Sequence, residues 1–122
     1  MLTLTNAQEV ECVLSEAGNS RMVILKFGAK WCVACNDIAK EYAELLKRFS
    51  TIIGCEVDFD TSRELFDDHG VYAMPSFVIF RDGKPIEMLR KPNVETIAKA
   101  LLYADELQRC DSPPELVLDA EF

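Results

Sequence analysis

The run MVILKFG, residues 22–28, constrains this chain more than any other stretch. It is too short to cross a bilayer, which takes roughly 20 apolar residues, and too evenly apolar for a strand with one wet face. A buried parallel strand fits it, apart from the lysine in its middle. Directly behind it comes a helical pattern, with Ala34, Ile38, Tyr42, Leu45, Leu46 and Phe49 spaced as one face across residues 32–49. A strand running straight into a helix is the start of a crossover unit, and the rest of the chain repeats the theme. LTL at 2–4 suits a short edge strand, and NAQEVECVLSEAG a helix with Asn6 as N-cap, Glu9 three residues on and Gly18 as stop. Val10, Val13, Leu14 and Ala17 would form its buried face.

TIIGCEVDF reads as a second buried strand, parallel to the first, and TSRELFDDHG as a short helix capped by Thr61 or Ser62 and ended by Gly70. SFVIF and PIEML flank RDGK, whose Asp-Gly pair is the strongest short hairpin signal. NVETIAKALLYADELQR, capped by Asn93, closes the pattern as an amphipathic helix. The order β-α-β-α-β-α-β-β-α predicts an α/β domain with a central mixed sheet covered by helices. At 122 residues the chain holds one such domain, placed at 1–109, and the acidic stretch 110–122 after it reads as a tail. A formal charge of −8 with no Lys/Arg cluster excludes nucleic acid as a partner. No run spans a membrane. The N-terminal residues lack the basic and apolar segments of a secretory signal, so a cytoplasmic location is expected.

Two of the five cysteines stand in AKWCVACND, at the junction of strand and helix. Unpaired N–H groups and the helix dipole favour an anion there, as the thiolate of Cys32 requires. Cys35 lies one turn on, within reach to form a disulfide or to resolve a mixed one. A structural zinc site would need four ligands, and Cys12, Cys55, Cys110 and His69 are not paired at ligand spacing, so no metal is expected. Core filling stays open for Cys35 taken alone. An odd cysteine number speaks against a disulfide framework. Cys55 is expected in the core and Cys12 at the surface, and His69 as a cation at a helix C-terminus.

ILKFGAKWCVAC and VDFDTSRELFDDHGVYAMPSFVIFRDGK resemble the thioredoxin family, over roughly residues 2 to 108. The resemblance implies a thioredoxin fold, a sheet of about five strands flanked by about four helices. It implies a thiol–disulfide oxidoreductase that reduces protein disulfides: Cys32 attacks, Cys35 resolves, Trp31 shields the site, and Pro75, in the cis form, sets Met74 against the substrate strand. No bound cofactor is implied, only reducing equivalents from NADPH through a thioredoxin reductase. A monomer is expected, with a Cys110-linked dimer as the alternative. Against this stands a thioredoxin-fold adaptor whose redox ability is vestigial.

Several positions depart from the family. Val33-Ala34 replaces its Gly-Pro, Lys40 its kinking proline, and Asn36-Asp37 the basic residue after the second cysteine. LRKPN lacks its groove glycine, so that Arg90 or Lys91 would crowd or charge the groove. The family places a buried aspartate at the position matching Lys26 and a lysine at that of Glu56. Here the signs are exchanged, and a buried lysine calls for a partner. Lys26 and Glu56 are therefore expected to meet beneath the cysteines, with Glu56 as the candidate proton acceptor for Cys35. A structural ion pair, or a Lys26 that snorkels to the sheet end, are the other readings.

Overall fold

A computed structural model describes residues 1–49 and 51–109, the last four of these by their backbone alone. In chain order the elements are β1 (Leu2–Thr3), α1 (Ala7–Ala17), β2 (Met22–Gly28), α2 (Val33–Leu46), β3 (Ile52–Asp58), α3 (Arg63–Asp68), β4 (Ser76–Arg81), β5 (Lys84–Arg90) and α4 (Val94–Arg109). The order is the one expected from the sequence. The strands form one sheet in the order β1-β3-β2-β4-β5, parallel from β1 through β3 to β2 and antiparallel from β2 through β4 to β5. The stretch 110–122, with Cys110, lies outside the described residues.

Local chemistry accounts for the ends of the elements. The Asn6 side chain accepts the Glu9 N–H at 2.9 Å, and the Asn93 side chain accepts the Thr96 N–H at 2.8 Å, so each fills an orphan donor of its helix. The Glu9 carboxylate reaches back past the cap and accepts from the N–H and hydroxyl of Thr5 at 2.6 and 2.7 Å. Those bonds hold the Glu9 carboxyl below its usual range. The β4–β5 hairpin turns through Asp82 (φ 56°) and Gly83 (φ 74°), both left-handed as a two-residue turn between twisted strands demands. Pro85 falls on β5, an edge strand, where its missing donor is tolerated.

The central strand explains why MVILKFG is apolar almost throughout: both its faces are covered. Val23, Leu25 and Phe27 pack with Val10, Val13 and Ala17 of α1, Leu65 and Phe66 of α3, and Cys55 and Val57 of β3. Met22 and Ile24 face the other way, onto Ile38, Tyr42 and Leu45 of α2 and Ile97 and Leu101 of α4. Of the expected helical faces, Ala34 departs: it is exposed, because the first turn of α2 begins at the end of the sheet and has no strand beneath that side. His69 is half-buried between Phe27 and Phe80, with Nδ1 2.9 Å from the Leu65 carbonyl.

Candidate active site

The end of β2 and the start of α2 build the site. Gly28 ends the strand, and a side chain there would meet the Cys35 sulfur at 3.0 Å, so the bare backbone leaves Cys35 its room. Cys32 is the N-cap of α2, in extended conformation, and its Sγ accepts the Cys35 N–H at 3.2 Å. The sulfur thus stands where a serine or aspartate oxygen stands in an ordinary cap. Its backbone is tied on both sides, by the N–H to the Ala29 carbonyl and by the carbonyl to the Asn36 N–H, each at 3.1 Å. The two sulfurs are bonded to each other, with the Cα atoms 5.2 Å apart. Cys32 keeps 9% of its surface exposed and Cys35 3%. When the bridge opens, a thiolate at Cys32 retains the N–H donor and the helix terminus that favour it.

Neighbouring loops complete the surface. Trp31, 59% exposed, is held by its Nε1–H, which donates to the Asp60 carboxylate at 2.9 and 3.2 Å. Its ring stands edge-on to Phe59. Asn36 donates from its side chain to the Lys30 carbonyl at 3.0 Å and closes the loop before the cysteines. The Met74–Pro75 peptide is cis, and Met74 and Phe59 pack against Ala29, Cys32 and Cys35. Among the described residues the Met74 backbone makes no hydrogen bond, which leaves its N–H and C=O open to an added strand. The Pro75 carbonyl accepts the Lys91 N–H at 2.7 Å. Asp60 and Phe59 were not singled out from the sequence, and Asn36 was noted only as a departure from the family. The Trp31–Asp60 bond joins residues 29 apart, and no local pattern announces it.

Lys26 and Glu56 are register partners on adjacent parallel strands, as expected. Both line a cavity of about 560 Å³ that also reaches Gly28, Cys35, Ala39 and Asp58. They do not form the expected ion pair: the described residues hold no Lys26–Glu56 contact within salt-bridge distance. Glu56 is exposed: its backbone pairs with Thr3 of β1, while its side chain lines the open cavity. Lys26 is half-buried with Nζ 5.6 Å from the centre of the Tyr42 ring. Burial lowers its pKa, and the Glu56 charge only partly offsets that. Among the described residues the Tyr42 hydroxyl has no hydrogen-bond partner, and burial raises its pKa, with the Cys55 and Glu56 charges adding to the shift.

A cysteine pair that caps a helix at the end of a central strand, beside a cis X-Pro peptide, defines the class of thiol–disulfide oxidoreductases built on a mixed sheet. Comparison narrows that class. Residues 2–102 match the thioredoxin family model. A thioredoxin of Geodia cydonium is 32% identical over 83 residues, covering 68% of this chain and 77% of that protein. A thioredoxin H-type 2 of Nicotiana tabacum is 34% identical over 85 residues, covering 66% and 72%. The X-ray structure of Fasciola hepatica thioredoxin superposes with a TM-score of 0.76 at 27% identity, covering 84% of this chain and 98% of the other. The chain belongs to the thioredoxin family, whose members work without a bound cofactor.

Proposed function

We propose that this protein reduces disulfides of other proteins by a two-step exchange. The Cys32 thiolate attacks one sulfur of the substrate disulfide. That bond breaks, the departing sulfur takes up a proton, and a mixed disulfide joins Cys32 to the substrate. Cys35 then loses its proton and attacks the Cys32 sulfur, which frees the second substrate thiol and leaves the Cys32–Cys35 bridge. The observation that carries this reading is the Cys32 sulfur in the cap of α2, with the Cys35 N–H aimed at it. Trp31, Met74 and Pro75 form the substrate-facing surface in this reading, with the open Met74 backbone pairing to an extended segment.

Lys26 and Glu56 handle the Cys35 proton through the cavity whose wall they share with Cys35. The bridge is returned to the dithiol by a thioredoxin reductase drawing on NADPH. In this reading the protein acts as a monomer in the cytoplasm. A Cys110-linked dimer is the one association the sequence offers beyond this.

Insulin reduction with dithiothreitol tests the activity, and trapping tests the roles. Cys35→Ser should accumulate substrate disulfides on Cys32, and Cys32→Ser should abolish them. Equal trapping by both variants would overturn the assignment. Failure of the wild type to accelerate insulin reduction would leave an adaptor with a vestigial site.

A further inference from the structure

The rim of the site carries a charge pattern that the exchange chemistry does not need. Around Cys32 the exposed surface is apolar: Trp31 at 59%, Val33 at 72% and Tyr72 at 77% stand in water without a covering element. On the Pro75 side this surface ends in two cations. The Arg90 guanidinium lies 4.7 Å from the centre of the Tyr72 ring, which holds an otherwise mobile side chain over the aromatic face. Lys91 follows it in left-handed backbone (φ 49°), fixed by its N–H to the Pro75 carbonyl. Both side chains are exposed. The carboxylates on this part of the surface are differently placed. Asp60 is engaged by the Trp31 indole, and Asp37 lies on α2, beyond the cysteines from β5.

We propose that the groove beside Met74 and Pro75 selects extended protein segments that carry acidic side chains next to the disulfide, and that Arg90 and Lys91 are the residues that read them. This rests on the disulfide reductase reading above. A segment paired to the Met74 backbone runs one residue from the Pro75–Lys91 bond, so its flanking side chains come within a Debye length, about 8 Å at physiological salt, of both cations. The net charge of −8 is spread over the whole chain and is screened beyond that distance. Local attraction therefore decides the preference. Tyr72, Trp31 and Val33 supply apolar contact to any substrate and do not discriminate by charge.

The test uses two peptide disulfides of the same sequence except that the residues flanking the cystine are Glu in one and Gln in the other. For the wild type at low salt, kcat/KM for the Glu peptide should exceed that for the Gln peptide about fivefold, the size expected of two exposed charge pairs. The ratio should fall to near one at about 1 M salt, where the screening length is about 3 Å. It should also fall to near one in Arg90→Gln/Lys91→Asn, where Asn tolerates the left-handed backbone. Should the double variant fail to fold, Arg90→Gln alone should lower the ratio about twofold. Equal rates for the two peptides with active wild type would overturn the selectivity and leave the reductase standing. A ratio unchanged in the variants would remove these two residues from it. Reduction of neither peptide would overturn both readings.

Discussion

Phe27 and Lys26 are neighbours in β2, as Cys55 and Glu56 are in β3, yet each pair is split between two different environments. On the α1/α3 face, Phe27 meets Phe66 edge-on at 5.1 Å, and Cys55 and Val57 sit beside them without exposure to water. On the α2/α4 face, at the same level of the sheet, Lys26 and Glu56 line a cavity that reaches Cys35. One peptide step moves a side chain from a close-packed core to an open hollow. The difference separates two tasks. The closed face holds the end of β2 in place, and in the proposed mechanism the open face gives Cys35 a route for its proton. Two thiols illustrate it. Burial pushes Cys55 up to about 11 and leaves it inert, whereas the bridged pair stands at a helix terminus that favours its thiolate.

The largest effect should come from breaking the closed face. Phe27→Ala removes a fully buried ring from under Phe66 and should cost about 3–5 kcal/mol in urea unfolding. A loss below about 1 kcal/mol would mean that this face does not anchor the strand.

The pH dependence of stability sharpens the same contrast. The folded pKa of Cys55 is raised from 9.0 to about 11, mainly by burial. Folding therefore favours its protonated form: the contribution is full below pH 9 and is lost as pH rises through 11. Two pH units correspond to roughly 2–3 kcal/mol at most. Tyr42, also raised by burial, acts in the same direction at still higher pH. In oxidised protein, wild type should lose stability between pH 9 and 11 more steeply than Cys55→Ala. Parallel curves for the two proteins would show that Cys55 titrates as freely folded as unfolded.

Much of this architecture was legible because it rests on local chemistry. Asn6, Asn93 and the Asp82-Gly83 turn announce themselves by residue type, and the alternation of apolar runs fixed the order of elements before any contact was known. The register Lys26↔Glu56 also follows, since adjacent parallel strands of equal length bring those positions level. What their side chains do there did not follow. The exposure of Glu56 depends on the cavity its side chain lines, and the position of Lys26 on the Tyr42 ring, a partner on another element. Likewise the exposure of Ala34 depends on where the sheet ends beneath α2, and the bond that fixes Trp31 depends on a loop far along the chain. Periodicity reports which face a residue takes, not what lies opposite.

The smallest effects belong to the open face, and they test whether it serves chemistry or stability. Glu56→Gln keeps shape and removes charge. It should slow resolution of the mixed disulfide by less than about tenfold, well short of the hundredfold or more of a carboxylate in direct contact, because Glu56 is exposed and reaches Cys35 only across the cavity. Formation of the mixed disulfide, which needs only Cys32, should keep its rate. Lys26→Met acts on stability instead. The folded pKa of Lys26 is lowered by burial, so the unfolded state binds the proton more tightly. This cost is fully present at neutral pH and is relieved as pH rises toward 10.5, opposite in sign to Cys55. Replacing Lys26 by an apolar side chain of similar length should therefore stabilise the protein at pH 7, by no more than about 1 kcal/mol since the group is half-exposed. The gain should shrink as pH approaches 10.5. A destabilised Lys26→Met at neutral pH would mean that its contact with Tyr42 outweighs the cost of burying the charge.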